Sequence, residues 1–495
     1  MNPSPNSFGY WTGEWGQRNG PEKIPLSPFP CPISRRQFFR QSSHALGALA
    51  LSRLASAAPQ PHIAPRAKRV ISLVMAGAPS QLDTWDYKPK LKYNEELPPS
   101  LYAGRAAQAG MGSRHARLPI APSIFKFAQH GRTGTWVSEL LPWTAKMVDD
   151  ITLIHSMHTD SINHDPAITQ FLTGNTLAGK PSMGAWVSYG LGSANENLPT
   201  FVALTSKLPG DEFMPQAIFS RLWGNSFLPA TNAGVAFRTD GGDAVLYLQN
   251  QPGMTRERRR VMLDGIQQIN RGTLADLGDP ETAARISQYE MAFRMQLAVP
   301  DLTDLRDEPA STFALYGPKS REPGTFAHNC LLARRMAERG VRFTQIFHRG
   351  WDSHTKLPSK DPRLCADIDQ PCFALITDLK QRGLLDDTLV VWGGEFGRTV
   401  FSEGTLTPTD YGRDHHTKCF TMWLAGGGVK AGFRHGETDD FSYNIARDPV
   451  HVRDLHATIL HLCGLDHRRL TFNYQGLEQK LTGVTDARVV KEIIA

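Results

Sequence analysis

The chain has 495 residues, with 54 Lys and Arg against 48 Asp and Glu for a net charge of +6, and it is 40% hydrophobic and 21% charged. That is ordinary globular usage, which excludes a disordered or fibrous chain, and no apolar run reaches the 18 residues of a membrane-spanning helix. Residues 1–58 hold six basic and two acidic side chains, leaving +2 on the remainder; so near-neutral a body excludes the positive footprint of a nucleic-acid-binding protein.

The first signal along the chain is Ser34-Arg35-Arg36-Gln37-Phe38-Phe39-Arg40, which fits the twin-arginine export pattern. An apolar stretch, Ala45–Leu51, and a small-x-small cleavage site, Ala55-Ser56-Ala57, follow it. A leader and preamble over 1–58 are therefore expected, with export to the periplasm or beyond and a folded body over 59–495.

Arg69–Gly77 (RVISLVMAG) predicts a buried strand running into the loop Ala78-Pro79-Ser80. Further strands are expected at Ile151–Ile154, Thr200–Leu204, Val341–Phe347, Thr388–Trp392 and Cys419–Leu424. Helices are expected over Phe326–Arg339, Pro362–Arg382 and His451–Cys463, each closed by a glycine at 340, 383 and 464. Strand–helix alternation predicts an α/β fold whose parallel-rich central sheet is covered by helices on both faces. Residues 207–307 read as a mostly helical insertion or cap, with helices near Arg256–Asn270 and Glu281–Leu297; the basic run at 256–260 is a solvated helix face.

Five cysteines lie beyond the leader, with no C-x-x-C pair, so no cysteine metal site is expected. Cys365 and Cys372 stand two helical turns apart, roughly 10 Å of rise, too far for a disulfide. Small buried apolar roles are expected for them.

Polar clusters fall where three predicted strands end: Ser80 to Asp86, Arg349-Gly350-Trp351-Asp352-Ser353-His354, and Glu395-Phe396-Gly397-Arg398-Thr399. Ligands of open α/β sheets bind outside the carboxyl ends of the strands, so these groups are expected to share one crevice. Each residue also has a structural role open to it. Asp83 and Asp352 can cap turns, His354 and His416 can be hydrogen-bonded loop histidines, Glu395 and Arg398 can pair with each other, and His164 can cap the helix running to Leu172.

The leader, YEMAFRMQ (Tyr289–Gln296), CLLARRMAERGVRF…FHRGWDSH (Cys330–His354), DDTLVVWGGEFGRT (Asp386–Thr399), GRDHH (Gly412–His416) and DLHATILHLCGLDH (Asp454–His467) together resemble one family. It is the domain-of-unknown-function family fifteen-oh-one, exported proteins related to sulfatases and alkaline phosphatases. The resemblance spans essentially the whole body and implies an alkaline-phosphatase/sulfatase-like fold with one or two metal ions at the strand ends. It implies metal ligation by Asp352, His354, Glu395 and one of His415 or His416, with Asp83 as a further candidate. At the nucleophile position, eight residues before Leu172-Thr173-Gly174 and two before Pro166, stands His164.

Imidazole and carboxylate ligands suit Zn, Mn or Fe better than Ca. The implied activity is metal-dependent hydrolysis of a sulfate or phosphate ester by metal-bound water. His164 would be base or ligand and Arg398 would hold the anion, the partner being a small anionic ester or a sulfated or phosphorylated glycan. The alternative is a non-catalytic scaffold binding a glycan or a partner protein.

Overall fold

The computed structural model describes residues 61–495 except 103–116, 212 and 278. The twin-arginine motif, the apolar stretch and the cleavage site lie outside the described residues.

Eleven strands organise the site. They are β1 (Arg69–Ala76), β2 (Ile151–His158), β3 (Phe201–Thr205), β4 (Val235–Phe237), β5 (Phe343–Arg349), β6 (Thr388–Gly393), β7 (Gly397–Glu403), β8 (Gly412–His416), β9 (Phe420–Ala425), β10 (Phe433–His435) and β11 (Val450–His451). Nine of these form the central sheet in the order β10-β2-β9-β6-β1-β5-β3-β4, with β11 also on β2; β7 and β8 form a separate hairpin. All central pairs are parallel except the two made by β9, which runs antiparallel to β2 and β6. The sheet is therefore mixed rather than purely parallel. The chain leaves β6, turns through the β7–β8 hairpin and returns without a crossover helix, so β9 must come back reversed.

Alternation along β1 divides the core. Ile71, Leu73 and Met75 pack on one face with α5 (Phe326–Glu338) and α6 (Leu357–Gln381). Val70, Val74 and Ala76 pack on the other with α1 (His164–Thr173), α2 (Met183–Leu191) and α7 (Val452–Leu462). This burial on both faces explains the continuous apolar run of β1. The sheet covered on both faces is as the sequence predicts.

The insertion is only half helical. Two long helices, α3 (Arg256–Leu277) and α4 (Pro280–Thr303), make up the helical half. The part before them is irregular apart from short 3-10 turns and β4, which extends the central sheet by pairing with β3. All five described cysteines are free and buried, and no helix among the described residues is long and apolar enough to cross a membrane.

Candidate metal centre

β1, β2, β5 and β6 point the same way, so their carboxyl ends share one edge of the sheet. From that edge come Gly77, the helix α1 that starts at His164, the Asp352–His354 loop and Glu395. The hairpin brings His415 and Glu403 against the same place. Gly412 fixes how closely: a Cβ there would overlap the His354 carbonyl oxygen, so the approach needs glycine.

Four ligand-type side chains converge. Asp352 Oδ1 lies 3.0 Å from His164 Nε2, 2.8 Å from His354 Nε2 and 3.3 Å from His415 Nε2. His354 Nε2 and His415 Nε2 are 3.0 Å apart. Behind each imidazole, Nδ1 faces an acceptor. His164 Nδ1 is 2.6 Å from Glu395 Oε1, His415 Nδ1 donates over 2.7 Å to the Ile162 carbonyl, and His354 Nδ1 bonds Glu403 Oε2. An acceptor at Nδ1 fixes the tautomer in which a neutral imidazole offers its Nε2 lone pair, the outer support that histidine ligands carry in metal sites. Although His164 Nε2 is close to Asp352, it is out of line for a hydrogen bond and is left buried without a partner. A three-imidazole, one-carboxylate set with an orphaned Nε2 fits a divalent metal ion.

The electrostatics follow from crowding. Burial would raise the Asp352 pKa, but the three imidazoles of His164, His354 and His415 around it, together with the Arg398 charge, hold it well below the carboxylate range. Burial works to lower His354, yet the Asp352 and Glu403 carboxylates, one on each ring nitrogen, push it up to about 9. His164 is likewise raised, against burial, by Asp352 and Glu395. In His415 burial wins and its pKa is lowered.

The residues expected from the sequence divide into two groups. Asp352, His354 and His415 meet, and His164 joins them as a fourth potential ligand. Glu395 stands one step back: its Oε1 accepts from the Gly77 N–H at 2.9 Å and from His164, and its Oε2 is buried without a partner. His416 points elsewhere, with Nε2 donating to the Tyr443 carbonyl at 2.8 Å and burial lowering its pKa to about 4. Asp83 is fully buried in an ion pair with Arg413, 2.7 Å away, and accepts from Ser80 and Tyr411. Burial opposes its ionisation, but Arg413 and its hydrogen bonds hold its pKa low. Asp83 and His416 thus stand outside the cluster.

Arg398 differs from the role expected of it. It does not pair with Glu395. Its guanidinium is 1% exposed and donates to the carbonyls of Gly77, Ala78, Trp351 and Arg413 and to Asp352 Oδ1 at 2.7 Å. Each of its three nitrogens donates inside the protein, so it orients Asp352 and ties two loops to the hairpin rather than meeting an anion. Glu403 was not found from the sequence; the signal was a carboxylate closing the strand that carries Arg398.

The hydroxyls beside the strand ends are committed as well. Ser80 Oγ donates to Asp83, Thr84 Oγ1 to the Ser80 carbonyl, and Ser353 Oγ to Asp361 at 2.6 Å.

Solved structures with a similar chain course include a protein in the alkaline phosphatase superfamily from Vibrio parahaemolyticus (9% identity, TM-score 0.35, covering 83% of this chain and 69% of that one). Another is the PsFucS1 sulfatase from Pseudoalteromonas sp. (12%, 0.31, 88% and 72%). A third is the phosphonate monoester hydrolase SpPMH from Silicibacter pomeroyi (12%, 0.30, 71% and 71%). At these scores the likeness carries nothing about ligand or reaction. No curated protein matches the sequence. The family model described as "Protein of unknown function (DUF1501)" matches residues 67–494, and the chain belongs to that family.

Proposed function

We propose that this is an exported, metal-dependent hydrolase of a sulfate or phosphate ester. The observation that carries the reading is the convergence of three Nε2 atoms on Asp352 Oδ1, each imidazole backed by its own acceptor. His164, Asp352, His354 and His415 would hold one divalent ion, with Zn, Mn or Fe the metals that suit the donors. Such an ion would supply polarisation of ester oxygens and a water of lowered pKa, which suits a chain with His164 where the resemblance places the nucleophile. Glu395, Glu403 and the Ile162 carbonyl hold the three rings by Nδ1, and Arg398 holds the carboxylate. The leader motif supports export, and the neutral body agrees with a small anionic ester or a sulfated or phosphorylated glycan as substrate.

Asp352→Ala and His354→Ala should each abolish metal binding and turnover on a panel of sulfate and phosphate esters while the circular dichroism spectrum stays native. Wild-type turnover in either variant would contradict the assignment. The engagement of Ser80, Thr84 and Ser353 in internal hydrogen bonds favours a second reading, a metal-bearing scaffold that binds a glycan or a partner protein without hydrolysis. Metal binding without turnover on the whole panel would select it.

A further inference from the structure

With Arg398 engaged inside the protein, a substrate anion would need a guanidinium from elsewhere. One candidate is Arg349, the last residue of β5, three positions before Asp352. Its side chain is half-buried, its Nε is buried without a hydrogen-bond partner, and among the described residues no carboxylate pairs with it. Burial without a counter-charge lowers its pKa. A guanidinium in that condition carries an uncompensated desolvation cost, which a bound anion would relieve.

Its position is set by the strand. Ala76 and Arg349 are paired across β1 and β5, so Arg349 stands at the strand end where the chain turns toward Asp352. Alternation puts it on the face of Phe343, Gln345 and Phe347, the face covered by α1. There the irregular part of the insertion lies over the sheet edge: the Gln345 amide donates to the Leu222 carbonyl at 3.3 Å, and Trp223 packs on Phe347.

The same segment reaches the cluster on both sides. Gln216 Oε1 accepts from the Gly350 N–H at 2.9 Å. A Cβ on Gly77 would lie 2.8 Å from both the Gln216 amide carbon and the Asp352 backbone nitrogen, so this amide sits directly beside the Asp352 loop. Arg221 pairs with Asp165, the residue after His164, which neutralises that carboxylate and pins the segment to the first turn of α1. The Gln216 carbonyl is occupied, and its NH2 makes no hydrogen bond among the described residues.

We propose that Arg349, with the Gln216 amide beside it, binds the tetrahedral oxyanion of a sulfate or phosphate monoester next to the histidine–aspartate cluster. The inference rests on reading that cluster as an ester-hydrolase metal site. Guanidinium supplies two parallel N–H donors to two oxyanion oxygens, and the primary amide adds a third. The irregular half of the insertion then has a role: it supplies one of the groups that select the anion.

The test is calorimetric titration of inorganic phosphate and of inorganic sulfate into metal-replete wild type, Arg349→Gln and Arg349→Lys, with metal content measured on each sample. Expected is binding of at least one anion by wild type, weakened about tenfold or more in Arg349→Gln and severalfold in Arg349→Lys, at unchanged metal content. Which anion binds tighter assigns the ester class. Wild-type affinity for both anions in either variant, or no affinity for either anion in wild type, overturns the proposal. A wild-type protein that holds no metal would instead overturn the hydrolase reading. If Arg349→Gln fails to fold, the lysine variant decides, because it keeps the charge and loses only the paired donors.

Discussion

Asp83 and Asp361 are two buried carboxylates with opposite chemistry. Asp83 is locked to Arg413 at 2.7 Å with both partners fully buried. Removing one partner leaves an uncompensated charge, so Asp83→Ala should cost about 3–5 kcal/mol of unfolding free energy by denaturant titration. Among the described residues Asp361 accepts only from Ser353 and has an orphaned Oδ2; burial and the nearby Asp83 charge raise its pKa to about 7. The folded state therefore holds a proton that the unfolded chain releases near pH 4. Its contribution to stability is fully present below that pH, is lost between about pH 4 and 7, and stays flat above. Asp361→Asn cannot ionise, so its stability relative to wild type should rise across that window. A difference between variant and wild type that does not change with pH would refute the assignment.

The hairpin β7–β8 decides the site at the scale of elements. It brings Glu403, His415 and Arg398 to a place that four like-directed strands prepare. Its fit depends on Gly412 against the His354 carbonyl, where any side chain overlaps backbone. Gly412→Ala should therefore move the hairpin, cost on the order of 1–3 kcal/mol and lower metal occupancy. Glu403→Gln should leave stability nearly unchanged yet weaken metal binding about 10–100-fold, the usual penalty for losing a ligand's outer partner. Equal metal affinity in Glu403→Gln would remove Glu403 from the site.

Much of this was readable before the fold was known. Apolar runs with glycine stops marked β1, β5, β6, α5, α6 and α7, because periodicity and capping are local. The reversal of β9 was not, since it depends on a hairpin whose residues read as a polar loop. Nor was the engagement of Arg398 and Asp83, whose partners lie hundreds of positions away or on main-chain carbonyls that no motif encodes. Asp352 and His354 were legible after their strand, while the resemblance left His415 and His416 as alternatives and offered His164 as base or ligand. The entry of His164 into their cluster depends on how α1 lies on the sheet, which spacing alone does not fix.

At the scale of the whole molecule, the described residues from 61 to 495 form one compact unit, built on a sheet whose carboxyl edge gathers groups from residue 77 to residue 415. The insertion extends that sheet through β4 and leans its irregular half against the same edge, so the centre, its outer support and its rim belong to a single scaffold. Everything proposed for the protein depends on one claim, that the four converging side chains hold an ion. The direct test is elemental mass spectrometry of the mature protein purified without chelator or added metal, beside Asp352→Ala prepared identically. The account predicts about one equivalent of Zn, Mn or Fe in wild type and none in the variant. A folded wild-type protein free of metal, or equal metal in both samples, would contradict it.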